Sequence, residues 1–263
     1  MSTQDILNAT QERVDVDLVI PVYNEEKILA KSVARLHDFL LQHTAYRWRI
    51  VIADNASTDR TPEIARALTM QYDNVKYLHL PYKGRGRALR HAWLNSDAEI
   101  VSYMDVDLST DLNCFIPMIE KLAANEAEIA IGSRYQKGAQ VTRGFKREFF
   151  SRSYMALIKL FFDCTFSDAQ CGFKAATRHA VQKLVPLVEN QGWFFDAEFL
   201  LLAEHYGLPI FQMPVRWIDD PDSRVKLTQT ISEHFIGLVR MRLAFSTGFA
   251  AVPANSSFAE SYA

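Results

Sequence analysis

No stretch of the 263-residue chain holds the roughly 18 uninterrupted apolar residues of a membrane-spanning helix. Cysteine is scarce: Cys114, Cys164 and Cys171 are odd in number and show no paired spacing, which points to reduced thiols rather than a disulfide framework or a thiolate metal site. Neither sign of charge prevails. With 29 basic against 31 acidic residues the net charge is -2, so no overall field draws the chain to nucleic acid. The seven histidines fall at no ligand spacing and none is assigned to catalysis. Internal repeats and low-complexity segments are missing. The opening MSTQDILNATQERVDVD is polar and acidic, unlike a signal peptide, so a soluble or membrane-peripheral protein is expected. Apolar residues nevertheless make up 49% of the chain, enough for a sizeable core.

Strand and helix patterns alternate along the chain. VDLVIPVYN reads as a strand, and Ile28, Leu29, Val33, Leu36, Phe39 and Leu40 then recur at helical spacing. RWRIVIADN reads as a second strand. In RTPEIARALTMQY, Thr61 is the expected N-cap and Pro62 the first helical residue. NVKYLHL, GRALRHAWLN, AEIVSYM, CFIPMIEKLA and AEIAIGS continue the alternation. Such βαβ units predict an α/β fold, a mainly parallel sheet with helices on both faces.

Open α/β sheets bind ligands beyond the carboxyl ends of their strands. Here three strand ends, PVYNEE, ADNASTDRT and MDVDLST, are each acidic or amide-rich. Asp and Asn also favour turns, which accounts for any one of them better than for all three. If the strand continues through MDVD, Asp105 and Asp107 share a face roughly 7 Å apart while Val106 points to the core. Two carboxylates addressing one site suit a hard divalent ion, Mg²⁺ or Mn²⁺, with Ser109 within reach directly or through water.

Taken in order, VDLVIPVYNEE, VIADNASTDRTPEIA, KGRGRAL, MDVDLST, IGSRY and GWFFDAEFLLLAE resemble a family 2 glycosyltransferase of GT-A (Rossmann-like) fold. Within that family the likeness is greatest to dolichyl- or polyprenyl-phosphate glucose and mannose synthases, over residues 15–228. The resemblance implies that Pro21, Tyr23, Glu25 and Asp54 cradle the donor's base and ribose, although Asn55 stands where the family often has a second acid. It implies that KGRGRAL is a phosphate loop, with Lys83 and Arg85 supplying charge and Gly84 and Gly86 allowing close backbone approach. An ordinary basic turn stays open there. A dinucleotide oxidoreductase is disfavoured, because GRG is no G-x-G-x-x-G after a strand.

The second half is expected to handle the acceptor. In RGFKREFFSRSYMALIKLFF, bulky apolar residues crowd beside Arg143, Lys146, Arg147, Arg152 and Lys159, which suits either an interfacial helix at an anionic membrane or a core helix with a basic face. By resemblance, Arg147 and Ser151 match an Arg-x-x-x-Ser that binds the lipid phosphate. Arg134 and Arg224 match further phosphate-facing arginines. Asp196 stands where relatives place a catalytic carboxylate, so the catalytic set implied is Asp107, Asp196 and Arg134. A lipid monophosphate, with a second pKa of about 6, needs no strong base. One in-line displacement would invert the anomeric centre. Trp93 and Trp217 read as packing. The expected layout is a polar extension at 1–14, the transferase domain at 15–228, an amphipathic interfacial helix at 229–250 and a loose tail at 251–263.

The resulting expectation is a metal-dependent, inverting hexosyltransferase at the cytoplasmic face of a membrane. It would use a nucleotide diphosphate sugar, with UDP-glucose ahead of GDP-mannose, and polyprenyl or dolichyl phosphate, and a membrane-protein partner stays open. A saccharide acceptor and a non-catalytic nucleotide-sugar or lipid-phosphate binding module remain as alternatives.

Overall fold

The computed structural model describes residues 15–218 and 227–247. Its centre is a seven-stranded sheet of order β3-β2-β1-β4-β7-β5-β8. The strands are β1 (Val16–Val22), β2 (Trp48–Asn55), β3 (Val75–Leu80), β4 (Ile100–Met104), β5 (Ile129–Ser133), β7 (Phe173–Thr177) and β8 (Ile210–Pro214). All pairings are parallel except those of β7, which runs antiparallel to both β4 and β5. Short strands β6 (Gln140–Thr142) and β9 (Arg216–Ile218) pair beside it.

Successive residues of β1 serve opposite faces: Leu18 and Ile20 join one core, Val19 the other. Over the first lie α1 (Leu29–His43), α2 (Thr61–Gln71) and α4 (Phe115–Ala123), through Leu36, Leu68 and Met118. Over the second lie α3 (Arg85–Leu94), α5 (Phe145–Phe161), α6 (Arg178–Leu184), α7 (Phe195–His205) and α8 (Leu227–Ser246). Burial on both faces explains why the strands read as continuous apolar runs. The expected α/β sheet, with helices on both faces, is the fold observed.

Three expectations differ in detail. Thr61 is not the N-cap of α2, because Arg60 holds that place. The buried Thr61 hydroxyl instead accepts the Glu25 amide at 2.8 Å, tying the β1 exit to α2. The DVD segment is a turn rather than strand, since β4 stops at Met104 and the Leu108 amide bonds back to the Asp105 carbonyl. The helix expected at 229–250 spans Leu227–Ser246 as α8, and it packs into the domain as well as facing outward, for Leu238 and Met241 are fully buried in the second core. The segments 1–14 and 251–263 lie outside the described residues. Among the described residues, no helix is long and apolar enough to cross a membrane.

Candidate active site

Strand order reverses between β1 and β4, and that switch point opens a crevice at their carboxyl ends. The backbone adopts left-handed geometry at Asn24 (φ 56), Ala56 (φ 60) and Leu108 (φ 50), one position within each of the three acidic strand-end segments. Non-glycine residues adopt such angles at a cost of about 1–3 kcal/mol, and this strain gathers at functional edges.

Asp105, Asp107, Ser109, Gly172 and Trp217 line one pocket, so the turn brings the two carboxylates together as extended geometry would have done. Val106 is buried. The Ser109 amide donates to Asp107 Oδ1 at 2.9 Å. Gly172 is there because nothing larger fits: an added Cβ would stand 1.7 Å from Asp105 Oδ2. Trp217, read from the sequence as packing, forms the far wall, with the Arg134 guanidinium 5.4 Å from its ring.

Arg85 is the hub of the site. Its Nη2 donates to Asp105 at 2.7 Å and its Nη1 to Asp196 at 2.6 Å, with only 9% of the side chain exposed. Lys174, buried on β7, contacts the other Asp196 oxygen at 3.1 Å and the Cys171 carbonyl at 2.6 Å. The Tyr103 hydroxyl donates to that same Asp196 oxygen. Two cations and two carboxylates thus balance, with Asp105 half-exposed and the other three covered. Burial pushes the Asp196 carboxyl up, but Lys174, Arg85 and Tyr103 outweigh it and hold it below the usual carboxylate range.

Of the residues expected from the sequence to take the nucleotide, Asp54 stands on β2, beside β3. Asp54 is fully buried, accepting from Tyr77 at 2.8 Å and the Ser57 amide at 3.0 Å, with His79 Nδ1 2.9 Å away. Burial opposes its ionisation, yet the bonds from Ser57, His79 and Tyr77 prevail and lower its pKa. Pro21, Tyr23 and Glu25 are partly exposed at the β1 exit, and Lys83 stands 4.1 Å from the Tyr23 ring.

Among the residues expected to meet the acceptor, Arg134 spends Nε and Nη2 on Asp168, at 2.7 and 2.9 Å, and is itself almost covered. Arg147 is partly exposed on α5. The buried Ser151 hydroxyl accepts from Tyr135 at 2.7 Å and donates to Gln170 at 2.9 Å. Arg224 lies outside the described residues.

Lys174, Tyr103, Asp168, Gly172 and the Tyr77–His79 pair were not picked out from the sequence. The signal available was SDAQCGFKAA, where one acid and one lysine interrupt an apolar run. A buried charge in such a run must have a partner, although its identity is set only by the fold.

Asp168 carries a prediction. Burial pushes its carboxyl up, but Arg134 outweighs it and the folded value lies below the ordinary one. The stability this contributes is complete above the unfolded carboxyl value of about 3.9 and drains away as pH falls below it. Asp168→Asn should cost about 3–5 kcal/mol at neutral pH, since it strands a buried guanidinium. Urea melts between pH 3 and 7 should then show a shallower acid slope than the wild type.

The oxygen-only donor set of Asp105, Asp107 and Ser109 fits Mg²⁺ or Mn²⁺ held jointly with substrate phosphates, the usual arrangement where a protein offers one or two carboxylates. Among the described residues, no cluster of three or more His, Cys, Asp or Glu side chains forms a self-sufficient cage.

The profile described as "Glycosyl transferase family 2" matches residues 17–185, spanning β1 through α6. The chain is 34% identical over 228 residues to glycosyltransferase AglD of Haloferax volcanii, covering 85% of this chain and 36% of AglD. It thus spans little more than a third of that relative. It is 30% identical over 241 residues to dolichyl-phosphate beta-glucosyltransferase ALG5C of Trichomonas vaginalis, covering 88% and 71%. With the Saccharomyces cerevisiae dolichyl-phosphate beta-glucosyltransferase it shares 27% over 256 residues, covering 90% and 77%. Among solved structures, Mycobacterium tuberculosis glucosyl-3-phosphoglycerate synthase in complex with Mn²⁺, UDP and glucosyl-3-phosphoglycerate superposes with TM-score 0.64 at 19% identity, over 92% of this chain and 84% of that one. At that identity the likeness speaks for the fold alone. With the profile covering more than half of the chain, and a relative 30% identical matched over 88% of this chain and 71% of its own length, the chain belongs to glycosyl transferase family 2.

Proposed function

We propose that the chain is an inverting transferase moving a hexose, with glucose from UDP-glucose as the lead, from a nucleotide diphosphate sugar to polyprenyl or dolichyl phosphate. The observation that carries this reading is the state of Asp196. Three donors saturate its carboxylate and hold it ionised. A sugar hydroxyl needs a base able to take its proton, and Asp196 is poorly disposed to be one. A phosphate monoester arrives already ionised at neutral pH. The names of the dolichyl-phosphate beta-glucosyltransferases agree with that acceptor and favour glucose.

Asp196 then serves as the anchor of Arg85, not as a proton acceptor. Arg85, at the first turn of α3, and Lys83 attract the donor diphosphate, while Asp54 orients Tyr77 and the half-exposed His79 towards the base. Arg147, with Arg134 behind it, draws in the acceptor phosphate, and Arg224 is a further candidate. A bound Mg²⁺ or Mn²⁺, held by Asp105 and Asp107 with Ser109 beside them, would supply Lewis-acid stabilisation of the departing nucleoside diphosphate. Attack opposite the leaving group inverts the anomeric centre, so an α-linked donor gives a β-linked lipid phosphate.

The adjoining helices α5 and α8 leave Phe145, Phe149, Leu160, Ile236 and Leu243 exposed, with Lys146, Arg152 and Lys159 also at the surface of α5. Apolar side chains fringed with bases suit a peripheral seat on an anionic membrane, on the side where nucleotide sugars are found.

The test is transfer of labelled sugar from UDP- and GDP-sugars to polyprenyl phosphate in Mn²⁺ or Mg²⁺, read in the organic phase. Glucose transfer that falls by at least about 100-fold in Asp107→Ala is the expected result. Transfer to a saccharide, with none to lipid phosphate, would overturn the acceptor. Donor binding without transfer to either would favour a binding module.

A further inference from the structure

Residues 189–194 run beside Arg85 and are gripped from both sides. On one side they meet the first turn of α3. Gly86 and Arg87 donate their amides to the Gly192 and Gln191 carbonyls at 3.1 and 3.0 Å. Arg85 lies between those contacts and the Trp193 ring, 5.3 Å from its centroid. The approach needs glycine, for a Cβ on Gly86 would stand 2.7 Å from Phe195 Cβ. Phe194 then leads directly into α7, whose first turn carries Asp196.

On the other side the grip comes from α8. The N-terminus of α7 has no side-chain cap of its own. Glu233 supplies one from a distance of forty residues, its Oε1 accepting the Trp193 amide at 2.9 Å and the Phe194 amide at 3.4 Å. Two glycines shape the joint. A Cβ on Gly192 would stand 2.3 Å from Glu233 Oε1, and one on Gly237 would stand 2.4 Å from the Phe194 ring. Arg240 holds the start of the segment, pairing with Glu189 and with the buried Glu198 at 2.7 Å each. Glu198 also accepts the Glu189 and Asn190 amides.

We infer that Glu233 of α8 is a positioning residue for transfer: by capping α7 and holding Trp193, it sets Arg85 and Asp196 in register. The inference rests on the reading of Arg85 as a donor-phosphate group. Helix ends leave four amides without intrahelical partners, and a carboxylate there answers both their hydrogen-bonding need and the helix dipole. Without it Trp193 and Phe194 lose their hydrogen-bonded tie to α8, Arg240 holding only the start of the segment, and displacement by about 1 Å suffices to cost about 100-fold in rate.

Glu233→Ala and Glu233→Gln separate positioning from general stability, since the glutamine keeps a carbonyl oxygen for the same two amides. UDP affinity in Mn²⁺, by titration calorimetry, is expected to weaken about tenfold in Glu233→Ala. It should stay near wild type in Glu233→Gln, with turnover following the same order. Unchanged UDP affinity in folded Glu233→Ala protein, or equal losses in both variants, would overturn the inference. The binding readout does not depend on the acceptor. Wild-type protein that binds UDP yet transfers nothing to lipid phosphate would sink the acceptor reading, and the affinity comparison would still decide the role of Glu233. No UDP binding by wild type would overturn both.

Discussion

Asp196→Ala is expected to remove about 3–5 kcal/mol of stability, a fall in Tm of about 6–20 °C, and to lower transfer by about 10²–10³-fold. The stability loss follows from what is left behind. Lys174 is fully covered and Arg85 nearly so, and each gives Asp196 one of its close contacts. Removing the carboxylate strands an ammonium and half of a guanidinium in a medium that solvates neither. The rate loss follows from Arg85, which would keep only its Asp105 ion pair and lose the second of the two acids that fix its orientation. A double-mutant cycle isolates the first effect. Lys174→Met should be markedly less costly in the Asp196→Ala background than in wild type, with a coupling above about 1 kcal/mol in urea melts. Additive losses would mean that the two charges do not compensate each other. Transfer should not recover in the double variant, because Arg85 stays unanchored.

Gly172→Ala is expected to damage the site more than the fold. The new methyl would stand 1.7 Å from one Asp105 oxygen and 2.7 Å from the other, so the carboxylate has to leave. It can do so, being 45% exposed, and the cost of the clash should stay near 1–3 kcal/mol. In leaving it gives up Arg85 and its place beside Asp107. UDP binding in Mn²⁺ should weaken by about tenfold or more and transfer fall by about 100-fold. Gly144→Ala is the control, since nothing lies within 4 Å of its added Cβ. Full UDP affinity in Gly172→Ala would show that Asp105 contributes little where it stands.

The alternation of apolar strands and amphipathic helices was readable because each element buries its own face, and that demand leaves a local period. The acidic strand ends were readable for a related reason: in an open parallel sheet, chain order alone decides that the ends of β1, β2 and β4 meet. Asp105, Asp107 and Ser109 line one pocket beyond the end of β4, although they turn rather than extend. Asp54 was found too, but its burial beneath Tyr77 and His79 was not, since nothing local distinguishes a carboxylate that faces a ligand from one that orients its neighbours.

What escaped was every partnership across long separations. Arg85 reads as a loop cation, yet it is shared between acids 20 and 111 residues away. Lys174 and Asp168 look like flaws in an apolar run until β7 inserts antiparallel between β4 and β5, carrying Lys174 to Asp196, while the segment before it brings Asp168 to Arg134. Glu233 reads as the polar face of a terminal helix until it caps α7. Local chemistry and chain order therefore settle the fold class and the family, and bring the acidic segments to one edge of the sheet, because pattern and topology act over a few residues or through strand sequence. Which charges neutralise one another, and so which acid is free to act, is decided only when the chain closes and water leaves, since the pairing energy of a buried charge depends on distance and dielectric in the finished core.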